Sequence, residues 1–238
     1  MKFRLLLVAS PLLVAFPLLT SAQTRHECWL KMTVSHKFSQ SWSAGIDLQY
    51  RRQANYRTED HNIARYPLGA IARTWLYRIY RRGWTAIISP AGYFVGDDIL
   101  TAEGKTGTTK EFRVSAGVAN TIQLHRVKNK NRFLADERFL LLNTPSHYSQ
   151  LRFRLQNNFI IPLLLLKQEN QISWIISQEY FIKAEKKKMR FDQERIYNAV
   201  QWTHKHVEAD LGYQYVLQKN AGDFYHRNQL YIQFNFSI

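Results

Sequence analysis

Apolar and polar residues alternate with a period of two through most of this chain. Trp42, Ala44, Ile46, Leu48 and Tyr50 interleave with Ser43, Gly45, Asp47, Gln49 and Arg51. Phe112, Val114, Ala116 and Val118 interleave with Glu111, Arg113, Ser115 and Gly117. Leu151, Phe153 and Leu155 alternate with Gln150, Arg152, Arg154 and Gln156, and Val207–Tyr215 behaves the same way. The last segment, from His226 to Ile238, puts Leu230, Ile232, Phe234, Phe236 and Ile238 on one face. Arg227, Gln229, Tyr231, Gln233, Asn235 and Ser237 take the other. Successive side chains of a strand point to opposite faces, so each run predicts a strand with one apolar and one polar side.

The segments between these runs also alternate. Short ones fall near Ser39–Ser41, Arg81–Gly83, Lys128–Asn131 and His204–His206. Longer polar ones fall near Ala54–His61, Gly96–Lys110, Thr144–Ser149, Lys183–Gln193 and Gln218–Tyr225, with Pro162–Asn170 intermediate. Many of the runs are as long as the 9–11 residues, or thereabouts, that a tilted strand needs to cross a bilayer. Lipid cannot satisfy an open sheet edge, so a spanning sheet must close. The pattern therefore predicts an all-β, antiparallel transmembrane barrel with short periplasmic turns and longer extracellular loops. The competing fold is a soluble sandwich, in which the charged faces would be the exposed ones. Reading the segments gives about eleven strands. Bacterial single-chain barrels carry even numbers, so twelve is expected, with ten as the alternative and Ile63–Tyr80 or Gln23–Trp29 as the place of the miscount. In Leu134–Leu142 the favoured parity turns Asp136 and Arg138 inward and leaves Glu137 toward lipid, with a bulge to absorb the conflict.

Residues 1–22 have a basic start, an apolar stretch Leu5–Leu19 and small residues Thr20-Ser21-Ala22. This is the layout of a cleaved secretory signal, and it predicts one barrel domain over residues 23–238, exported to the outer membrane. The chain carries 33 Lys+Arg against 18 Asp+Glu, a formal charge of +15. In an exported barrel that excess points to anionic lipid, lipopolysaccharide phosphates or anionic solutes rather than nucleic acid. Cys28 is the one cysteine, so no internal disulfide is possible. Aromatic residues are abundant, with 14 Phe, 13 Tyr and 6 Trp, as suits a sheet facing a membrane interface.

The stretches "LRFRLQNNFIIPL" (Leu151–Leu163), "QEYFIKAEKKKMRFDQERIYNAV" (Gln178–Val200) and "VEADLGYQYVL" (Val207–Leu217) carry a recognisable combination. A strand with paired arginines, Arg152 and Arg154, precedes Ile161-Pro162. Glu179 and Phe181 close a strand, Phe191-Asp192-Gln193 with Arg195 opens the next, and Gly212-Tyr213 sits in another. This resembles the outer-membrane-barrel-like family catalogued as domain of unknown function 2490, most clearly over residues 132–238. The first half is similar only through Trp29, Arg51 and Arg52. The resemblance implies an outer-membrane barrel and supplies no activity. Phe234 and Phe236 resemble the C-terminal signal read by the barrel-assembly machinery, although such signals commonly end on Phe and this chain ends on Ile238.

Nine inward positions are the candidate lumen network: Asp47, Glu111, Arg113, Arg152, Arg154, Glu179, Arg195, Glu208 and Asp210. They either neutralise one another in a packed interior or line a narrow solute path; buried charges need partners, which favours the first. Lys186, Lys187, Lys188 and Arg190 form a basic run expected on the long-loop rim, either as a clamp for lipopolysaccharide phosphates or as a solvated loop. A lipid hydrolase or lipid A-modifying enzyme is the runner-up function, and a secreted protein binding anionic ligands is the third. No Gly-x-Ser-x-Gly elbow is present, Ser146 and His147 are adjacent and so point to opposite faces, and Ser115 and His125 stand too far apart on one strand. His204 and His206 are two ligand types in one turn, too few for a metal site. No catalytic residue, metal or cofactor is therefore assigned.

Overall fold

Eleven strands make up the computed structural model, which describes residues 24–58, 60–80, 83–141, 148–166, 170–185, 188–220 and 223–238. In chain order they are β1 (Thr24–Lys37), β2 (Trp42–Gln53), β3 (Tyr66–Ile79), β4 (Trp84–Ile99), β5 (Thr106–Leu124) and β6 (Val127–Leu141). They continue as β7 (Tyr148–Leu166), β8 (Asn170–Glu185), β9 (Lys188–His204), β10 (Val207–Asn220) and β11 (Asp223–Ser237). Consecutive strands pair antiparallel, and β1 pairs with β11 to close the sheet into a barrel. The closing pair is parallel, Thr24 facing His226 and Ser35 facing Ser237.

That parallel seam explains why the count is eleven and not twelve. The even-number argument assumes that both ends of the chain lie on one rim. Here Thr24 begins β1 at one rim and β11 finishes at the other, where the Ile238 backbone N–H donates to the Ser35 carbonyl at 2.8 Å. Ile63–Tyr80 does not hide two strands, since β3 alone covers Tyr66–Ile79.

Strands run further than the polar pattern suggests. The segments 96–110, 183–193 and 218–225 lie largely within strands, leaving connections of 100–105, 186–187 and 221–222. Only 54–65 survives as a long loop among the fully or largely described connections. Its base is tied down by Arg52, which donates to the carbonyls of Ala64 and Arg65 at 2.7 and 2.8 Å. On the opposite rim, at the β3–β4 turn, Gly83 has φ +77, and a Cβ there would stand 2.4 Å from the Thr121 carbonyl oxygen, so the turn needs glycine. Pro162 stays within β7, where a register shift against β8 accommodates its missing N–H.

Hydrogen-bonded partners followed from Trp29 through β2, β3 and β4 reach Thr109 on β5. Followed the other way round they reach Gln123 on the same strand, 14 residues further along (123 minus 109). This stagger tilts the strands and sets a width between barrels filled by side chains and those holding wide channels.

Leu30, Ile46, Val118, Leu155, Leu211 and Phe234 stand exposed on the outer wall. Trp42, Trp84, Trp174 and Trp202 sit on that face near one rim, at the ends of their strands next to the tight turns. Tyr50 and Tyr215 lie on it nearer the other rim. An apolar band between aromatic girdles is what a bilayer-spanning barrel presents to lipid. Three asparagines of β6 and β7 keep their amides satisfied in a ring: Asn129 donates to Asn157 at 3.2 Å, Asn157 to Asn131 at 2.7 Å and Asn131 to Asn129 at 2.6 Å. Asp136 faces inward and Glu137 outward, the favoured parity, with β6 in unbroken register against both neighbours and so without the expected bulge.

Candidate functional site in the barrel lumen

Alternation carries one side chain in two into the barrel. The interior holds a cavity of about 920 Å³, lined from Asp98 and Thr109 near one rim to Glu208 and Asn235 near the other. All nine sequence-predicted lumen residues line it: Asp47, Glu111, Arg113, Arg152, Arg154, Glu179, Arg195, Glu208 and Asp210.

Asp136 anchors the network. It is fully buried and takes ion pairs from Arg154 at 2.8 Å, Arg73 at 3.3 Å and Arg152 at 3.5 Å. The Ser115 hydroxyl donates to the same carboxylate at 2.5 Å, and Arg73 donates to Ser115. Five strands thus meet through one carboxylate: β3, β5, β6 and β7 directly, and β9 through Arg152, which also reaches Asp192 at 3.5 Å. Glu111 holds a second pair of arginines, Arg113 at 2.5 Å and Arg138 at 2.8 Å. Burying this many charges is tolerable only because each carboxylate accepts several charge-assisted bonds.

Seven residues of the motif that carries the family resemblance form one patch of lumen wall, while Tyr213 faces outward. Arg152 and Arg154 come from β7, Glu179 and Phe181 from β8, and Asp192, Gln193 and Arg195 from β9. Glu179 receives Arg195 and Arg132 at 3.6 Å and Arg154 at 3.8 Å. Phe181 has no exposed surface, and the guanidinium carbons of Arg195, Arg152 and Arg154 stand 4.5, 4.9 and 5.9 Å from its ring centre. A bulge opposite Phe181 and Ile182 adds one residue to β9, so both Asp192 and Gln193 turn inward and are buried.

Two tryptophans also face inward. Trp29 donates its indole N–H to Glu27 at 2.8 Å, and Trp75 donates to Asp47 at 2.9 Å. Asp47 additionally pairs with Lys31 at 3.5 Å and accepts from Thr33 at 2.8 Å. Trp75 packs with Ile87 and Leu134 into an apolar cluster on the β3–β6 side of the interior. Glu208 and Asp210, near the turn-side rim, are bridged by the Gln201 amide at 3.5 and 2.9 Å. No lysine or arginine lies within 4.0 Å of either carboxylate among the described residues.

Sequence alternation missed several members. Asp136 was recognised as inward but not as the hub. Arg138, expected inward with Asp136, is a further partner of Glu111, whereas alternation does not point to Arg73, Glu27 or Asp192. On β3 the inward face carries Gly69, Ile71, Trp75 and Tyr77 around Arg73, so both faces read as apolar. Asp192 is turned inward by a bulge that strict alternation does not register.

Of the basic run, Lys188 and Arg190 are exposed at the start of β9, beside the 186–187 connection rather than in a long loop; Lys186 and Lys187 lie outside the described residues. Ser146 and His147 also lie outside them, as do residues 1–23. Among the described residues no serine hydroxyl bonds a histidine ring, and no group of three metal-ligating side chains converges.

A family described as "Protein of unknown function (DUF2490)" matches residues 26–235. Solved structures similar to this chain include the beta domain of the Bordetella autotransporter BrkA, at 11% identity and TM-score 0.49, over 80% of this chain and 82% of that one. LpxR from Salmonella typhimurium is similar at 8% identity and TM-score 0.46, over 82% and 83%. No curated protein matches the sequence.

Proposed function

The chain belongs to the DUF2490 family of proteins of unknown function, and we propose that it is an outer-membrane barrel whose narrow, arginine-lined lumen passes small anionic solutes. The observation that carries this reading is the single cavity of about 920 Å³ bounded by residues from both rims. The ion pairs are then the walls of the path rather than a plug. Its middle is lined by Arg51, Arg73, Arg113, Arg154 and Arg195. A low-dielectric wall focuses the field of such a belt on whatever enters, which favours anions. The outer wall supports the membrane setting, because an apolar band between aromatic girdles has no other sheet to pack against.

Purified protein in a planar bilayer tests it. The expected result is small, stable conductance steps with a reversal potential on the anion side in a salt gradient. A barrel silent at all voltages removes the conduit and leaves the ion pairs a purely structural role. A lipid hydrolase has less support, since Ser115 is committed to Asp136 and Arg73 and has no histidine beside it.

Two contacts complete the proposal. The exposed Lys188 and Arg190 are a basic edge for lipopolysaccharide phosphates, to which the sequence run adds Lys186 and Lys187, and β11 with Phe234 and Phe236 is the strand offered to the assembly machinery. Neutralising the four basic residues should lower salt-sensitive lipid co-purification; unchanged lipid content would remove the first contact.

A further inference from the structure

Every arginine lining the cavity except Arg51 has a carboxylate within 4.0 Å among the described residues. Arg51 donates one hydrogen bond, from Nη2 to the Gln49 side-chain oxygen at 2.8 Å. Its Nε is buried with no hydrogen-bond partner. Its guanidinium carbon stands over Trp29, 3.6 Å from the ring centre. The charges that act on it are Arg195 and Arg227 on the cationic side and Glu27 on the anionic side. Glu27, the acidic group in this part of the lumen, stands beyond 4.0 Å from Arg51 and is already engaged: it accepts from Trp29 at 2.8 Å and Gln229 at 2.7 Å and pairs with Arg227 at 3.6 Å.

A half-buried cation with no carboxylate within 4.0 Å and arginines nearby is poorly neutralised by the protein alone. The chain pairs its other lumen arginines with carboxylates, so Arg51 is the lumen arginine whose charge is best placed to meet an anion from solution. A planar guanidinium whose Nη1 makes no hydrogen bond and is not closed off suits an oxyanion, which can accept from it while the charge is neutralised. We propose that Arg51, stacked on Trp29 and flanked by Arg195 and Arg227, is an oxyanion-binding site for phosphate- or carboxylate-bearing solutes in the lumen. The site deepens the conduit reading by naming the solute chemistry, and it rests on that reading only in needing water to reach the lumen.

Binding is measured by titrating inorganic phosphate, and separately acetate, into the detergent-solubilised full chain over a chloride background. Calorimetry and the quenching of Trp29 fluorescence are the readouts, and heat-modifiable gel migration checks that each variant is a closed barrel. The expected result is saturable phosphate binding, with acetate weaker. Arg51→Gln should weaken phosphate binding at least tenfold. Arg51→Lys, which keeps the charge and loses the fork, should weaken it severalfold. Arg126→Gln, in the exposed β5–β6 turn, makes the same charge change outside the lumen and should bind like wild type. Absence of saturable binding to the wild-type protein overturns the proposal, as does an Arg51→Gln barrel that binds equally well. A barrel that binds phosphate without passing current keeps this site and removes the conduit; one that conducts without binding does the reverse.

Discussion

Trp84 and Trp202 keep their rings on the outer wall, 46% and 42% exposed, whereas Trp29 and Trp75 sit inside the same sheet at 3% and 4%. The outer pair finds an interface for an amphipathic ring. The inner pair gives its indole N–H to Glu27 and Asp47, because a buried indole donor needs an acceptor. One residue type thus plays two parts, and a one-position shift along a strand decides which. The outer wall tolerates exchange among apolar residues because lipid packs against any of them. Around Asp136, Glu111 and Glu179 the lumen tolerates little, because each charge there is matched to particular partners.

The sharpest way to break this contrast is at the hub. Asp136→Asn leaves three arginines facing one another with one fewer negative charge, and should destabilise the barrel by about 3–5 kcal/mol. Urea-driven unfolding from lipid vesicles measures the loss. Adding Arg154→Gln should recover part of it, since the two residues share one network. An additive double variant would mean that the network is not coupled.

On the other face, Leu211 is 60% exposed and pairs with Ile232 and Val200 within the apolar band. Leu211→Arg should cost about 2–4 kcal/mol in lipid, whereas Leu211→Ile should be nearly neutral. If Leu211→Arg unfolds like wild type, that wall does not face hydrocarbon.

A smaller effect compares the tryptophans directly. Trp75→Phe strands the Asp47 carboxylate of one donor and should cost about 1–3 kcal/mol. Trp84→Phe removes no such bond and should stay within about 0.5 kcal/mol in the same unfolding assay.

The smallest effect concerns the 54–65 loop. The Asn62 backbone N–H, with Arg65, holds the Asp60 carboxyl below the usual carboxylate range. A depressed carboxyl stabilises the loop above its unfolded value, and that contribution fades as pH falls through the folded one. Hydrogen exchange at Asn62 and Ala64 should therefore show less protection below the ordinary carboxylate range than at neutral pH. Asp60→Asn should lack this pH dependence.

Alternation along the chain was enough to identify strands, to assign inward and outward faces on β2, β5, β7, β10 and β11, and to nominate nine residues that all line the cavity. Period two is a local property of extended backbone, and hydrocarbon outside with charge inside writes it directly into the residue order. Alternation alone yields eleven strands and the even-number rule points to twelve, because the direction in which the last strand meets the first is not encoded in either strand alone.

Tertiary structure decided the rest. Glu27 and Gln229 are 202 positions apart and share one hydrogen bond only because the sheet closes. Arg73 became a partner of Asp136, and Asp192 turned inward, through the stagger of strands and a bulge on β9. Which arginine is left without a carboxylate depends on distances across the lumen, from walls far apart in sequence. The residue order determines which side of the sheet a charge occupies; closure determines what it meets there.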